Sequence, residues 1–185
     1  MGKPSAETLD AFLLSIERRA YRIARIATGH EQEALDVFQE AAYKFLRTYA
    51  DKPSEEWRPL FFGVLHNQIR DWRRRSMVRS RWRAFLDAFS RDGASDDARD
   101  PIQEVPDEKC RTPEAQAAEN DTLGAVEAAV RTLPPRQQQA FLLRAWEELS
   151  LAETAQAMGC SEGSVKTHYH RAVERLRGLL GERLP

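Results

Sequence analysis

Long hydrophobic runs are missing from this chain of 185 residues, which has no stretch near the ~18 apolar residues that a membrane-spanning helix needs. The N-terminal residues also lack the features of a secretion signal, so we expect a cytoplasmic protein. Only two cysteines are present, Cys110 and Cys160, without CxxC spacing, which excludes a disulfide framework. With 42% hydrophobic and 31% charged residues, the composition is typical of a globular, water-soluble protein.

Strand-like alternation is nowhere sustained, whereas apolar residues three and four apart recur throughout, so the fold is predicted to be all-α. A first helix is expected to end at Gly29, and a second to span residues 32–49. A third is predicted to begin near Trp57 or Pro59, because proline is tolerated in a first turn, and to continue or restart as far as Phe89. The core positions expected in the second helix are Ala34, Val37, Phe38, Ala41, Phe45 and Leu46.

The net charge is only −1, but the charges are segregated along the chain. Residues 70–83 hold seven arginines and one aspartate, and residues 92–121 hold ten acidic and three basic residues. Such segregation is typical of a patch that faces a polyanion and of a separate acidic segment. We therefore predict two small helical domains, residues 1–90 and 122–185, joined by a flexible acidic linker over residues 91–121.

The most specific local signal lies near the C-terminus. Residues 150–153 (SLAE) have the form of a capping box, Gly159 is placed to end the helix that follows, and Ser161 is placed to cap the next one. Two short helices around such a turn predict a helix-turn-helix, whose second helix reads the major groove of DNA. An ordinary helical hairpin with a solvated polar face is the alternative. The candidate DNA-reading residues are Ser161, Ser164, Lys166, Thr167, His168, His170 and Arg171.

Metal ligation is not indicated by these residues. His168 and His170 are two positions apart, hence about 200° around a helix, and cannot readily share one metal ion. Cys160 suits a small packed side chain better than a ligand. We predict neither a metal site nor a cofactor.

Two polar stripes mark the N-terminal half. The second helix carries Asp36, Gln39, Glu40 and Tyr43, a line that periodicity alone would assign to solvated surface. The third helix carries Asn67, Arg70, Asp71, Arg73 and Arg74. Arginines on one face can pair with phosphates, and asparagine can read a base edge. Among the nearby aromatic residues, Phe61 and Trp72 fall on the core stripe, whereas Trp57 is the better candidate for stacking on an unpaired base.

These residues resemble the bacterial RNA polymerase sigma factors. Residues 34–40 (ALDVFQE) and 65–71 (LHNQIRD), with the arginine run that follows, look like conserved region two. Residues 133–137 (LPPRQ), 149–150 (LS), 159–161 (GCS) and 164–166 (SVK) look like region four. The chain is most similar to the smallest members, the extracytoplasmic-function group, which keep these two regions and a linker.

The resemblance implies a role for each set of residues. Asp36, Gln39, Glu40 and Tyr43 would dock on core RNA polymerase. The third helix and the loop before it would capture a flipped base and hold the melted strand of the promoter's minus-ten element; the residues implied are Trp57, Asn67, Arg70, Asp71, Arg73 and Arg74. The helix from Ser161 to Arg171 would read the minus-thirty-five element in duplex DNA. The acidic linker would thread the RNA path of the polymerase, and an anti-sigma protein would be a further partner.

Two other classes of function compete with this interpretation. A free-standing helix-turn-helix regulator would explain residues 122–182 but leaves the basic third helix and the acidic linker without a role. An enzyme is disfavoured, because the sequence has no clustered Ser/His/Asp, glycine-rich phosphate loop or spaced metal ligands. We therefore expect no catalytic activity.

Overall fold

The apolar spacing of the sequence corresponds to helices throughout the part of the chain that the structure describes. The structure is a computed structural model, and it describes residues 6–90 and 124–181. The all-α prediction is confirmed for these residues. The helices are α1 (Ala6–Thr28), α2 (Glu31–Tyr49), α3 (Ser54–Ser90), α4 (124–131), α5 (Pro135–Phe141, continued by a π-helical segment Leu142–Trp146), α6 (Leu151–Met158) and α7 (Glu162–Leu180).

The N-terminal half is built from α1, α2 and α3, which all contact one another. Helix α1 ends at Thr28 because Gly29 follows with a φ of +79°, a left-handed conformation that suits glycine. The core prediction for α2 is confirmed at Ala34, Val37, Ala41 and Phe45, which are buried. Phe38 is half-buried, and Leu46 was predicted wrongly, because it lies at the edge of the buried stripe with 36% of its surface exposed.

Helix α3 begins earlier than predicted, at Ser54, and runs without a break to Ser90. Pro59 therefore lies inside the helix rather than at its first turn. A proline at this position leaves the Glu55 carbonyl without the amide that would otherwise bond to it within the helix. The unbroken helix places the basic run on the same rigid element as the core residues Phe61 and Leu65.

The C-terminal half contains the predicted helix-turn-helix. The Ser150 hydroxyl accepts from the Glu153 amide at 3.2 Å, and the Glu153 carboxylate accepts from the Ser150 amide at 2.7 Å, so the capping box is confirmed. Gly159 ends α6 with a φ of +60°, and Ser161 caps α7 by accepting from the Ser164 amide at 3.2 Å. These local bonds fix where the second helix of the motif begins.

The Ser150 cap gives a prediction for stability. We expect Ser150→Ala to lower the free energy of unfolding by about 1 kcal/mol, because the amide of Glu153 loses its acceptor. Urea unfolding followed by circular dichroism measures this. Ser15→Ala is the matched control, since the exposed Ser15 hydroxyl donates to the Phe12 carbonyl within α1, and the substitution should change stability by less than about 0.5 kcal/mol. Equal stabilities for the two variants would contradict the capping role.

The two halves also pack against each other, a contact that the prediction of two domains on a tether did not include. It is formed mainly by α3 and α6. A Cβ atom placed on Gly63 would lie 3.3 Å from the carbonyl oxygen of Ala157, so the approach of the two helices depends on a residue without a side chain. The predicted linker, residues 91–121, lies outside the described residues.

Candidate nucleic-acid and partner interfaces

The polar stripe of α2 forms a continuous exposed surface. Asp36, Gln39, Glu40 and Tyr43 are all exposed, and 61% of the surface of Tyr43 is accessible. The apolar side chains of Leu35 and Leu46 are also exposed on this helix, at 39% and 36%. An acidic surface with apolar and aromatic groups suits a basic protein partner.

The residues in the polar stripe of α3 differ in how exposed they are. Asn67, Arg70 and Arg74 are exposed, whereas Asp71 and Arg73 are half-buried. The Arg73 guanidinium donates from Nη2 to Oε1 of Gln138 at 2.5 Å, so it bonds across to the C-terminal half. Its pKa is lowered by burial. Arg73 could therefore contact DNA only after its hydrogen bond to Gln138 breaks.

Further along α3, part of the basic run is paired with acids of α2. Arg79 lies 3.3 Å from Glu33, and Arg75 lies 4.0 Å from Glu40. The Trp72 indole also donates to the Glu33 carboxylate. These exposed pairs are worth little stability individually, but they orient the arginines along one side of the helix. The net positive charge of the run is therefore partly balanced in the folded protein.

Trp57 corrects the expectation drawn from the sequence. Its side chain is 1% exposed, its ring centroid lies 5.4 Å from that of Phe12, and its Nε1 donates to the Lys52 carbonyl at 2.8 Å. The residue lies in the first turn of α3, where that turn closes over α1, so a stacked base could reach the indole only if the core opened. Trp57 is a core residue in this structure, and we withdraw it from the candidate DNA-binding set.

The candidate reading helix α7 presents most of its predicted residues to solvent. Lys166, Thr167, His170 and Arg171 are exposed together with the cap residue Ser161, while Ser164 and His168 are half-buried. Some of the polar groups are used within the helix: the Thr167 hydroxyl donates to the Gly163 carbonyl at 3.0 Å, and His170 lies 3.3 Å from Glu174. Lys166 and Arg171 are the long cationic side chains on this surface, and they suit phosphates or guanine edges.

Sequence reasoning missed a set of polar groups between the two halves. Arg58 of α3 donates from Nη2 to the Glu147 backbone carbonyl at 2.7 Å and lies 3.3 Å from its carboxylate. The Glu147 side chain is 1% exposed, and burial raises its pKa although Arg58 opposes the shift. Arg22 of α1 pairs with Glu127 at 2.6 Å and covers the Trp146 ring. No local pattern marks these residues, because the partners lie 89 and 105 positions apart.

His66 is a further polar group near this contact, and the residue as a whole is half-buried. Burial lowers the pKa of its imidazole to about 3, and the positive charges of Arg73 and Arg136 add to the effect. Its Nε2 atom is buried and has no hydrogen-bond partner in the described ranges. The ring is therefore neutral at physiological pH, and the folded protein resists its protonation.

This arrangement predicts a pH dependence. The ordinary pKa of 6.5 applies in the unfolded chain, so the unfolded state takes up the proton first as the pH falls, and the native state loses stability below about pH 6.5. Between pH 7.5 and pH 5, we expect His66 to account for a loss of about 2 kcal/mol in the free energy of unfolding. Glu147, whose pKa is raised, acts in the opposite direction.

Comparison with His66→Gln isolates the imidazole. Urea unfolding of both proteins at the two pH values measures the effect, and the wild type should lose more stability than the variant. Glu147 and every other titrating group are common to both proteins. Parallel pH dependences would show that His66 is already accessible to protons in the folded state.

The described residues contain no group of three or more His, Cys, Asp or Glu side chains that could hold a metal ion. Among the described helices, none is both long enough and apolar enough to span a bilayer. Cys160 is a half-buried free cysteine.

Comparison with known proteins shows which family this chain belongs to. Residues 123–176 match the family described as Sigma-70, region 4. The chain is 31% identical over 167 residues to the RNA polymerase sigma-E factor of Streptomyces avermitilis, an alignment that covers 88% of this chain and 79% of that protein. It is also 31% identical over 170 residues to the ECF RNA polymerase sigma factor SigE of Mycolicibacterium smegmatis, covering 89% of this chain and 58% of that one. The chain belongs to the RNA polymerase sigma factors of the extracytoplasmic-function group.

Some of the sequence matches cover only part of each chain. The similarity to solved structures supports the fold alone. The alignment with a sigma-E factor of Streptomyces antibioticus, at 39% identity, covers 45% of this chain and 44% of that relative. Among solved structures, the sigma factor RpoE of Bartonella quintana, in complex with the anti-sigma factor NepR, matches with a TM-score of 0.57 at 22% identity. That match covers 92% of this chain and 95% of RpoE. It supports the same all-helical architecture.

Proposed function

We propose that this chain binds core RNA polymerase and directs it to a specific set of promoters, without catalytic activity of its own. The observation that carries the proposal is the combination in one chain of a helix-turn-helix that matches sigma region 4 and an N-terminal helical bundle with exposed acidic and basic faces. We place its action in the cytoplasm. We assign region two to residues 1–90, the linker to residues 91–121 and region four to residues 122–185.

The acidic face of α2 is the proposed polymerase-docking surface. Asp36, Gln39, Glu40 and Tyr43 supply charge, hydrogen-bonding groups and an aromatic ring on one exposed side of a helix that is held rigidly by its buried side. Rigid presentation lowers the entropic cost of docking. Such a surface is suited to a helical partner that carries basic residues.

Two separate surfaces would contact the promoter. The melted strand of the minus-ten element would be held by residues of α3: Asn67, Arg70, Asp71, Arg73 and Arg74. The affinity that phosphate contacts contribute should fall steeply as the salt concentration rises. Binding to the open strand offsets the few kcal/mol that base extrusion costs. The predicted residues of α7 would read the minus-thirty-five element in the major groove.

An anti-sigma protein is the proposed inhibitory partner. The supporting observation is that the structurally similar RpoE was crystallised with one. Such a partner would compete with polymerase for the same chain, and it would keep the sigma factor inactive until a signal releases it.

Binding to sigma-free core RNA polymerase tests the proposal. The labelled protein is titrated with core enzyme and followed by fluorescence anisotropy. Saturable binding is expected for a sigma factor. A folded protein that ignores core enzyme but binds a duplex operator unaided would favour the free-standing regulator.

Arg171 provides a test of the reading helix. We expect Arg171→Ala to reduce transcription about tenfold at promoters that depend on the upstream element, because one guanidinium contact with a base or phosphate is lost. Run-off transcription with reconstituted polymerase measures it. Arg177→Ala is the matched control, since Arg177 is also exposed but lies in the last turn of the same helix. An equal effect of both variants would count against specific reading by Arg171.

A further inference from the structure

The side of α2 that carries the proposed docking residues changes sign along the helix. Asp36 and Glu40 lie toward its N-terminal end, and Lys44 and Arg47 follow about one and two turns after Glu40. All four side chains are exposed. Residues four and seven positions apart share one side of a helix, so the acidic face continues into a basic end. Asp36 and Arg47 lie about 16 Å apart along the helix axis.

Arg47 is held on this side of the helix by Tyr43. Its guanidinium lies over the Tyr43 ring, 5.5 Å from the ring centroid, and its Nη1 atom donates to the Tyr43 hydroxyl at 3.3 Å. Tyr43 belongs to the proposed docking set, and 61% of its surface is exposed. A cation that lies on an exposed aromatic ring is oriented and still accessible. Arg47 therefore presents a positive charge within the docking face.

A buried side chain of α3 holds the opposite charges of Glu40 and Lys44 in place. Gln68 is 3% exposed; its amide nitrogen donates to Oε2 of Glu40 at 3.1 Å, and its amide oxygen accepts from Nζ of Lys44 at 2.6 Å. Glutamate and lysine four residues apart suit a direct ion pair on a helix, whereas here each bonds to the same amide.

Both charged groups keep capacity to bind a partner. An ammonium group has three donors and a carboxylate has about four acceptor sites, so one bond to Gln68 does not saturate either group. Arg75 of α3 lies 4.0 Å from Glu40, but 55% of the Glu40 side chain remains exposed. The face thus offers fixed charges of both signs, in a defined order.

We propose that the docking face of α2 is dipolar and binds a helix of core RNA polymerase in one direction only. The inference rests on the polymerase-docking role assigned to α2 above. The polymerase helix places basic side chains against Asp36 and Glu40, and an acidic side chain against Lys44 and Arg47. The reversed direction brings like charges together at both ends, which disfavours it. Gln68 is a positioning residue of this face.

Reversal of the basic end distinguishes a dipolar face from one that is simply acidic. We expect Lys44→Glu and Arg47→Glu each to weaken the binding of core RNA polymerase about tenfold, because an acidic group of the partner then meets a like charge. A partner that is basic throughout would instead bind both variants more tightly, so the two accounts predict changes of opposite sign. Arg18→Glu is the matched control, since Arg18 is exposed on α1 outside this face and its reversal should change affinity by less than about twofold.

Gln68→Leu tests the positioning role. Without the amide, Glu40 and Lys44 can pair with each other, and we expect the affinity for core enzyme to fall about fivefold. In a Lys44→Met background that pair cannot form, so the same substitution should change the affinity by less than about twofold. Fluorescence anisotropy of the labelled proteins, titrated with sigma-free core enzyme, measures all of these affinities, and circular dichroism checks that each variant is folded.

Several results would overturn the inference. If core enzyme bound Lys44→Glu and Arg47→Glu as tightly as the parent, or more tightly, the face would not be dipolar. If Gln68→Leu caused the same loss in both backgrounds, Gln68 would act on the fold and not on the two charges. Failure of the proposed function is seen separately, because the parent itself would then not bind core enzyme.

Discussion

Asp36→Arg should reduce the affinity for core RNA polymerase by at least about 100-fold, because the substitution reverses a charge in the middle of the proposed docking face. Like charges brought together in an interface cost several kcal/mol, and the side chain is exposed, so the fold itself should not suffer. Fluorescence anisotropy with sigma-free core enzyme measures the loss. Circular dichroism checks that the variant remains folded.

Asp10→Arg is the control for this charge reversal. Asp10 is an exposed aspartate of α1 outside the α2 face, so the same change in net charge should leave polymerase binding within about twofold. If Asp36→Arg bound core enzyme as tightly as Asp10→Arg, the docking surface would have to lie elsewhere on the chain.

Trp57→Ala should lower the free energy of unfolding by about 3–5 kcal/mol, the range for removal of a large aromatic side chain from a core. The indole is 1% exposed, contacts Phe12, and bonds to the Lys52 carbonyl, which fixes the short loop before α3. Urea unfolding gives the change. A loss of this size is a large part of the total free energy of unfolding of a small domain, so we expect the variant to be partly unfolded at ordinary temperature.

Trp82→Ala is the control for this loss, because 62% of the surface of Trp82 is exposed. Removing it should cost less than about 1 kcal/mol. A Trp57→Ala protein that kept its stability but lost single-strand binding would restore the stacking role that we withdrew.

Features encoded by neighbouring residues could be predicted from the sequence. The end of α1 at Gly29, the capping box at Ser150 and the cap at Ser161 each depend on interactions within four residues. The helix-turn-helix follows from them, since the caps set where its two helices begin. Periodicity likewise placed Val37, Ala41 and Phe45 in the core.

Features that depend on distant residues could not be predicted in this way. Trp57 looked exposed because it follows a loop, but its burial is decided by α1, whose Phe12 lies 45 positions earlier in the sequence. The contact between the halves depends on a glycine facing a backbone and on Arg58 meeting Glu147. Glycine and arginine at these positions carry no periodic signal, so only the folded chain brings them together.

Promoter-directed transcription tests the central claim most directly. Sigma-free core RNA polymerase is combined with the protein and genomic DNA, and the transcript start sites are mapped by sequencing, with core enzyme alone and the Asp36→Arg variant in parallel. We expect a limited set of start sites that share two upstream sequence elements at a fixed spacing, present with the parent protein and lost with the variant. A transcript pattern identical to that of core enzyme alone, obtained with folded protein, would contradict its function as a sigma factor.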